Sequence, residues 1–275
     1  MVTTNQVSPN KSSFVEDGRS SASVKSALRV LLIIEVLADE QDGLTFVQIC
    51  ERLNLPKSSA YALLQTMKER GHLDLDKSGR YQLGIRVWEA GQAWTRGFNL
   101  AAAARPYLQS ARDELGETVQ LAILDGIEIV YLAKEDSDQR LVLQSHVGAR
   151  LPAYATGLGK VLLSGLSDDE VLARLSTTAL EAFTPHTIVH PPTLIAEVKK
   201  VRQNGYGMDY GEYTQGVICV AVPVFNDTAA ITTAISVSVP EIRASLEFQQ
   251  RAVEVLTREA INLSAVVGVS ESQTS

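Results

Sequence analysis

Cysteine is nearly absent from the chain. The two present, Cys50 and Cys219, stand far apart with no Cys-x-x-Cys or Cys/His spacing around them, which argues against a disulfide framework and a structural zinc site and fits a reducing cytoplasm. Long apolar runs are missing too. Val30–Ile34 and Val217–Phe225 fall far short of the roughly 18 residues a bilayer crossing needs, so no membrane partner is expected. The first residues carry no basic start followed by an apolar stretch, so an export signal is not expected; residues 1–23, rich in Ser and Thr, read as a disordered tail. The HExxH, GxSxG and dinucleotide fingerprints do not occur, and no cofactor or metal is expected.

Positive charge is also in short supply, with a net charge of −7, which at first sight disfavours a nucleic-acid partner. The distribution changes this. Residues 1–99 hold 12 Lys and Arg against 11 Asp and Glu, whereas the remaining 176 residues hold 13 against 21. Only the first third could face phosphates, provided its basic groups cluster. A length of 275 residues with 45% hydrophobic and 21% charged residues predicts two globular domains.

What is present reads in order. Val24–Ala38 has helical spacing, with Leu28, Leu31 and Leu32 on one stripe. Asp42-Gly43 breaks it, and Thr45 offers an N-cap to a short helix through Leu53. Asn54-Leu55-Pro56 turns the chain into a third helix, with Pro56 at its first position and Gly71 at its end. Leu73–Leu75, the turn Asp76–Gly79 and Arg80–Leu83 then predict a hairpin, and three helices followed by such a ribbon make a winged helix-turn-helix over residues 24–86. A linker helix over 87–99 is expected to join it to a second domain, 100–268.

That second region opens with a helix, Leu100–Leu115. Val119–Leu124 and Ile127–Ala133, joined by Asp125-Gly126, predict a hairpin, and Leu141–Gln144 a further strand. Ser167 with Glu170 forms a capping box before a helix, and Thr193–Asn204 is a helix closed by Gly205. A second hairpin, Val217–Phe225 and Ile231–Val237 around Asn226-Asp227, precedes a last helix over Glu241–Ala265. Such a mixture predicts an α+β fold with a largely antiparallel sheet.

The start of the third helix carries Lys57, Ser58, Ser59 and Tyr61 where free backbone N–H groups and the positive dipole end favour DNA. Ser58, Ser59 and Tyr61 suit base edges; Lys57 and Arg70, with Thr45 and the wing residues Lys77 and Arg80, complete the expected DNA-binding set. The alternative is a solvated face on a structural three-helix unit.

LNLPKSSAYALLQTMKERGHLDLDKSGRYQLGIRVWEAG resembles the DNA-binding domain of IclR (isocitrate lyase regulator) transcription factors across residues 24–94. The segments LPAYATGLGKVLL, GYGMDYGEYTQGVICVAVPVF and AISVSVP are similar to that family's effector domain. The resemblance implies a GAF-like effector-binding domain, operator DNA and a small-molecule effector as partners, and a homodimer or homotetramer. It also implies a pocket of Gly157, Leu158, Asp209, Cys219, Ser236 and Ser238, and Leu143 and Leu151 could supply apolar walls for an organic acid. Two positions depart from the family pattern: Tyr154, where His is frequent, and Val239, where Gly is frequent. They leave the fold intact but prevent borrowing an effector from any one relative.

Two rivals stand beside this regulator. One is a cysteine enzyme with Cys219 activated by His146, His186 or His190, against which Cys219 reads as a small buried hydrophobe. The other is an oligomer whose winged helix binds protein rather than DNA.

Overall fold

The computed structural model describes residues 24–94, 99–139, 145–176 and 178–272. The expected tail over residues 1–23, the strand Leu141–Gln144 and the four positions 95–98 of the linker lie outside them. The chain falls into two compact units, Met1–Trp94 and Thr95–Ser275.

In the first unit, α1 (Lys25–Ala38), α2 (Phe46–Arg52) and α3 (Lys57–Glu69) enclose a core of Ile33, Leu37, Ile49, Leu64 and Leu73. Thr45 begins α2 through a capping box: its hydroxyl accepts from Gln48 N at 3.3 Å while Gln48 Oε1 takes the Thr45 N–H at 2.9 Å. Pro56 proves to be the N-cap of α3, in extended backbone, rather than its first helical residue. The wing strands β2 (Leu73–Leu75) and β3 (Arg80–Leu83) pair antiparallel, with Leu75 opposite Tyr81. Two residues ahead of α2, Leu44–Thr45, form β1 and add a third strand beside β3. Two residues are too few for a period-2 pattern, so only the tertiary pairing reveals this strand. The helix α4 (Ile85–Trp94) follows at once.

The second unit is a six-stranded antiparallel sheet between two helical layers. Its strands are β4 (Thr118–Asp125), β5 (Glu128–Glu135), β6 (Arg150–Pro152), β7 (Gly207–Tyr210), β8 (Val217–Phe225) and β9 (Ile231–Pro240), in spatial order β6-β5-β4-β9-β8-β7. Side chains alternate between the two faces. Val119, Leu121, Val220, Val222, Ile235 and Val237 pack under α5 (Leu100–Leu115) and α9 (Leu246–Ser272). Ala122, Ala221 and Ala234 face α6 (Gly157–Ser164), α7 (Asp168–Leu175) and α8 (Pro191–Asn204). The small residues on this second face let α6 lie close on the strands.

Local chemistry explains several element ends. The Ser167–Glu170 capping box is present at α7. The β4–β5 turn sits one residue later than its sequence suggests: Asp125 pairs with Glu128, leaving Gly126 and Ile127 as the turn, and Gly126 takes φ +63°. Asn226-Asp227 opens a five-residue loop in which Asn226 Oδ1 accepts from the backbone N–H groups of Thr228 and Ala230. The last helix begins at Leu246, because Glu241–Arg243 form a separate 3₁₀ turn. Among the described residues, no helix is long and apolar enough to cross a membrane.

Candidate DNA-reading helix and effector niche

Helix α3 presents Lys57, Ser58 and Tyr61 to solvent, Tyr61 at 61% exposure, while Ala60, Leu64 and Met67 face the core. Tyr61 stands edge-on to Phe46 with ring centroids 6.5 Å apart, which steers the phenol without burying it. Arg70 ends the helix exposed, and Lys77 is exposed at the tip of the wing turn. Asp76 shapes that turn by accepting from Ser78 N at 2.8 Å and Arg80 N at 2.9 Å, and these bonds hold its carboxyl below the ordinary range.

The other three expected DNA residues are engaged inside the unit. Thr45 spends its hydroxyl on the capping box, Arg80 Nη1 donates to the Gly43 carbonyl at 2.9 Å, and Ser59 Oγ accepts from Arg29 Nη1 at 2.9 Å. The last contact brings a cation from α1 against α3. Sequence reasoning missed Arg29, because nothing in α1 by itself says which neighbour it meets.

In the second unit, pairing assembles residues that are distant in sequence. Asp209 lies opposite Cys219, Cys219 opposite Ser238, and Ser238 opposite Thr118; one step along, Gly207, Ala221, Ser236 and Gln120 form the adjacent row. All except Cys219, which is partly exposed, are buried. Ser236 and Ser238 donate to Gln120 Oε1 at 3.1 and 3.2 Å, and Cys219 Sγ lies 3.2 Å from Ser238 Oγ.

The N-terminus of α6 stands over this row. A Cβ on Gly157 would lie 3.5 Å from the Cys219 carbonyl oxygen and 3.6 Å from Asp209 N. Thr156 caps the helix, its Oγ1 accepting from Gly159 N at 3.0 Å. Gly159 is required by close approach: a Cβ there would meet the Ala153 carbonyl at 2.1 Å. Leu158 is buried, and Leu151 is half-buried on β6 against the same core. Leu143, the other expected wall, lies outside the described residues.

Beside the row runs a buried ion pair, Lys160 Nζ to Glu212 Oε1 at 2.5 Å. Glu212 N donates to Asp209 Oδ1 at 2.7 Å, and Glu212 Oε2 has no hydrogen-bond partner. Two buried carboxylates thus share one ammonium. Burial pushes the Asp209 carboxyl up to about 7, against the lowering effect of the Glu212 backbone bond and Lys160. Sequence reasoning missed Gln120 and Glu212 and gave Lys160 no role. The one available signal was a polar residue in mid-strand, at Gln120.

Desolvation pushes the Cys219 thiol well above its ordinary range, with the neighbouring Asp209 carboxyl adding to the rise and the Ser238 hydroxyl working against it. A thiol held in its protonated form is a poor nucleophile even where its residue keeps some exposed surface, which works against the cysteine-enzyme alternative.

The raised Asp209 carboxyl carries a pH prediction. Its ordinary value is 3.8, so between about pH 4 and 7 the folded chain holds a proton that the unfolded chain has released. This contribution to stability is full below about pH 4 and is lost as pH rises through 7. Asp209→Asn, neutral throughout, should therefore gain on wild type between pH 5 and pH 8, by on the order of a few kcal/mol. Chemical denaturation at the two pH values checks it; parallel pH profiles would contradict the assignment.

A winged helix-turn-helix followed by an α+β unit with a polar niche on its sheet defines a DNA-binding regulator with an effector-binding domain. The chain belongs to the IclR family of bacterial transcriptional regulators: residues 26–77 match the IclR helix-turn-helix domain and residues 92–265 the C-terminal domain of bacterial transcriptional regulator IclR. It is 34% identical over 248 residues to the HTH-type transcriptional regulator KdgR of Escherichia coli K12, covering 90% of this chain and 94% of that protein. The crystal structure of the Thermotoga maritima IclR is similar, with TM-score 0.72 and 28% identity, covering 89% of this chain and 99% of the other. An IclR homologue from Microbacterium hydrocarbonoxydans, crystallised with 4-hydroxybenzoate, shares the fold with TM-score 0.78 at 24% identity, covering 87% of this chain and 98% of the other.

Proposed function

We propose that this regulator holds operator DNA with α3 and the wing, and that a small organic acid bound over the Asp209–Cys219–Ser238 row alters that hold. The observation that carries the effector reading is the meeting of a helix N-terminus with buried hydroxyls, a thiol and a carboxyl on one sheet face. The N–H groups of Gly157 and Leu158 suit a carboxylate, Ser236, Ser238 and Cys219 suit polar substituents, and Leu151 supplies an apolar wall. The 4-hydroxybenzoate carried by the Microbacterium relative supports an acid of this size.

On the DNA side, Lys57, Arg70 and Lys77 hold phosphates, while Ser58 and Tyr61 approach base edges. Ser59, Thr45 and Arg80 act from behind, by fixing Arg29, α2 and the wing. Two copies placing their α3 helices in successive major grooves would read half-sites about 34 Å apart. A homodimer or homotetramer in the bacterial cytoplasm is the working form. An interface on α1 is supported by Leu28 and Leu31, exposed at 48% and 56%, and by its N-cap Val24 at 64%, whereas Val30 and Ile33 pack into the core.

A thermal-shift panel of small organic acids, including 4-hydroxybenzoate, on the full chain tests the effector reading. An acid at about 100 times its Kd should stabilise by roughly 2.7 kcal/mol. That shift, and the change in operator affinity, should vanish in Ser236→Ala/Ser238→Ala. A shift that survives the double substitution, or a panel with no response, would contradict the niche.

A further inference from the structure

The hydrogen-bonding groups along the exposed stripe of α3 limit which base edge it could complement. At 3.6 residues per turn, Ser58, Tyr61, Ala62, Gln65 and Glu69 share one stripe, with Gln65 near its centre. The basic residues of this segment fall to the flanks: Lys57 and Lys68 on one side and Arg70 on the other. They are placed for the walls of a groove, not its floor. The stripe therefore has no arginine for the two-pronged contact that reads guanine.

Gln65 is the only carboxamide on the stripe, and it is already held. Its Nε2 donates to Glu69 Oε1 at 3.2 Å, one helical turn on. An ionised carboxylate only accepts, so this bond fixes which end of the carboxamide is nitrogen. The carboxamide has two N–H donors and one carbonyl oxygen. With one donor given to Glu69, one donor and one acceptor remain.

Adenine presents that complement in the major groove, an acceptor at N7 and a donor at N6, whereas guanine presents two acceptors, N7 and O6. A singly occupied Gln65 can satisfy the first pair of groups and not the second. The neighbouring surface suits the partner base. Thr66 turns its hydroxyl back to the Ala62 carbonyl at 2.8 Å, and with both residues exposed the Thr66 methyl and the Ala62 Cβ form an apolar patch beside Gln65. A thymine methyl packs on such a patch.

We propose that Gln65 is a specificity-determining residue that reads an adenine in each operator half-site, with the Ala62–Thr66 patch against the methyl of a thymine. The inference rests on α3 being the element that enters the major groove. Glu69 is a positioning residue, holding the carboxamide in the plane the base requires.

Selection of binding sites from random duplexes by the full-length protein tests this. Wild type should enrich an adenine at one position of each half-site, by the roughly 5- to 150-fold that a two-pronged contact supplies. Gln65→Ala should flatten that position and leave the others selected, and Gln65→Lys, which offers only donors, should move the preference to guanine. Gln65 is partly exposed on the helix surface, so neither change disturbs the core. Unchanged base preference in Gln65→Ala, or guanine selected by wild type at the position that Gln65→Ala flattens, would overturn the proposal. Tyr61→Ala separates the two levels of failure. If it alters the selected sequence while Gln65→Ala does not, only the Gln65 assignment falls; if neither alters it, α3 is not the reading element.

Discussion

Lys160→Met is expected to lower the stability of the C-terminal unit by about 3–5 kcal/mol, the usual cost of leaving one partner of a buried ion pair without the other. Lys160 is 1% exposed and Glu212 5%, so water cannot take over the role of the ammonium. The substitution leaves the buried Glu212 without its cation and removes the Lys160 charge that lowers the Asp209 carboxyl, so Asp209 holds its proton to still higher pH. The loss should therefore be smaller at pH 5 than at pH 8. Removing the second partner as well should restore most of the stability, because Lys160→Met/Glu212→Leu replaces the pair with apolar groups that need no compensation. Calorimetry of the full chain measures all three proteins. A single variant within about 0.5 kcal/mol of wild type, the scatter of ordinary surface substitutions, would contradict the reading, as would a double variant no better than the single.

The importance of this pair was hidden in the sequence for a physical reason. Lys160 follows a glycine-containing loop and invites comparison with a phosphate site, but its partner is 52 residues away on the far side of two helices. Local signals were legible wherever local chemistry decides. The Ser167–Glu170 capping box, the Thr45 cap, the wing turn and the helix Leu100–Leu115 all depend on neighbours within a few residues. Where tertiary contact decides, pattern reading slipped: β1 exists only because β3 lies beside it, and the β4–β5 turn moved by one residue to pair Asp125 with Glu128.

The candidate sites divide in the same way. Family resemblance named Asp209, Cys219, Ser236 and Ser238, and the sheet register sets them side by side. Gln120 stood out only as a polar residue in mid-strand; that it meets Ser236 and Ser238 depends on β4 lying between β5 and β9, an order no local pattern reveals. On α3, exposure follows from helical periodicity, but the engagement of Ser59 by Arg29 and of Arg80 by Gly43 requires the packed unit.

The largest effect expected of this protein is the response of its operator affinity to salt. Phosphate contacts release counterions, so a dimer that makes about 6–10 of them should lose roughly 10³–10⁵ in affinity between about 50 and 200 mM salt. Lys57, Arg70 and Lys77 are exposed on α3 and the wing, and under the proposed function they would supply such contacts from each copy. A protein partner on the same surface would show a shallow dependence, because apolar contacts respond little to ionic strength.

The decisive measurement is the slope of log affinity against log salt for the full chain on its selected operator, wild type beside Lys57→Ala. The account predicts a steep slope that falls by about 1 for each phosphate contact removed, with base preference unchanged. An affinity indifferent to salt, or a slope the same in both proteins, would contradict the claim that α3 rests on duplex DNA.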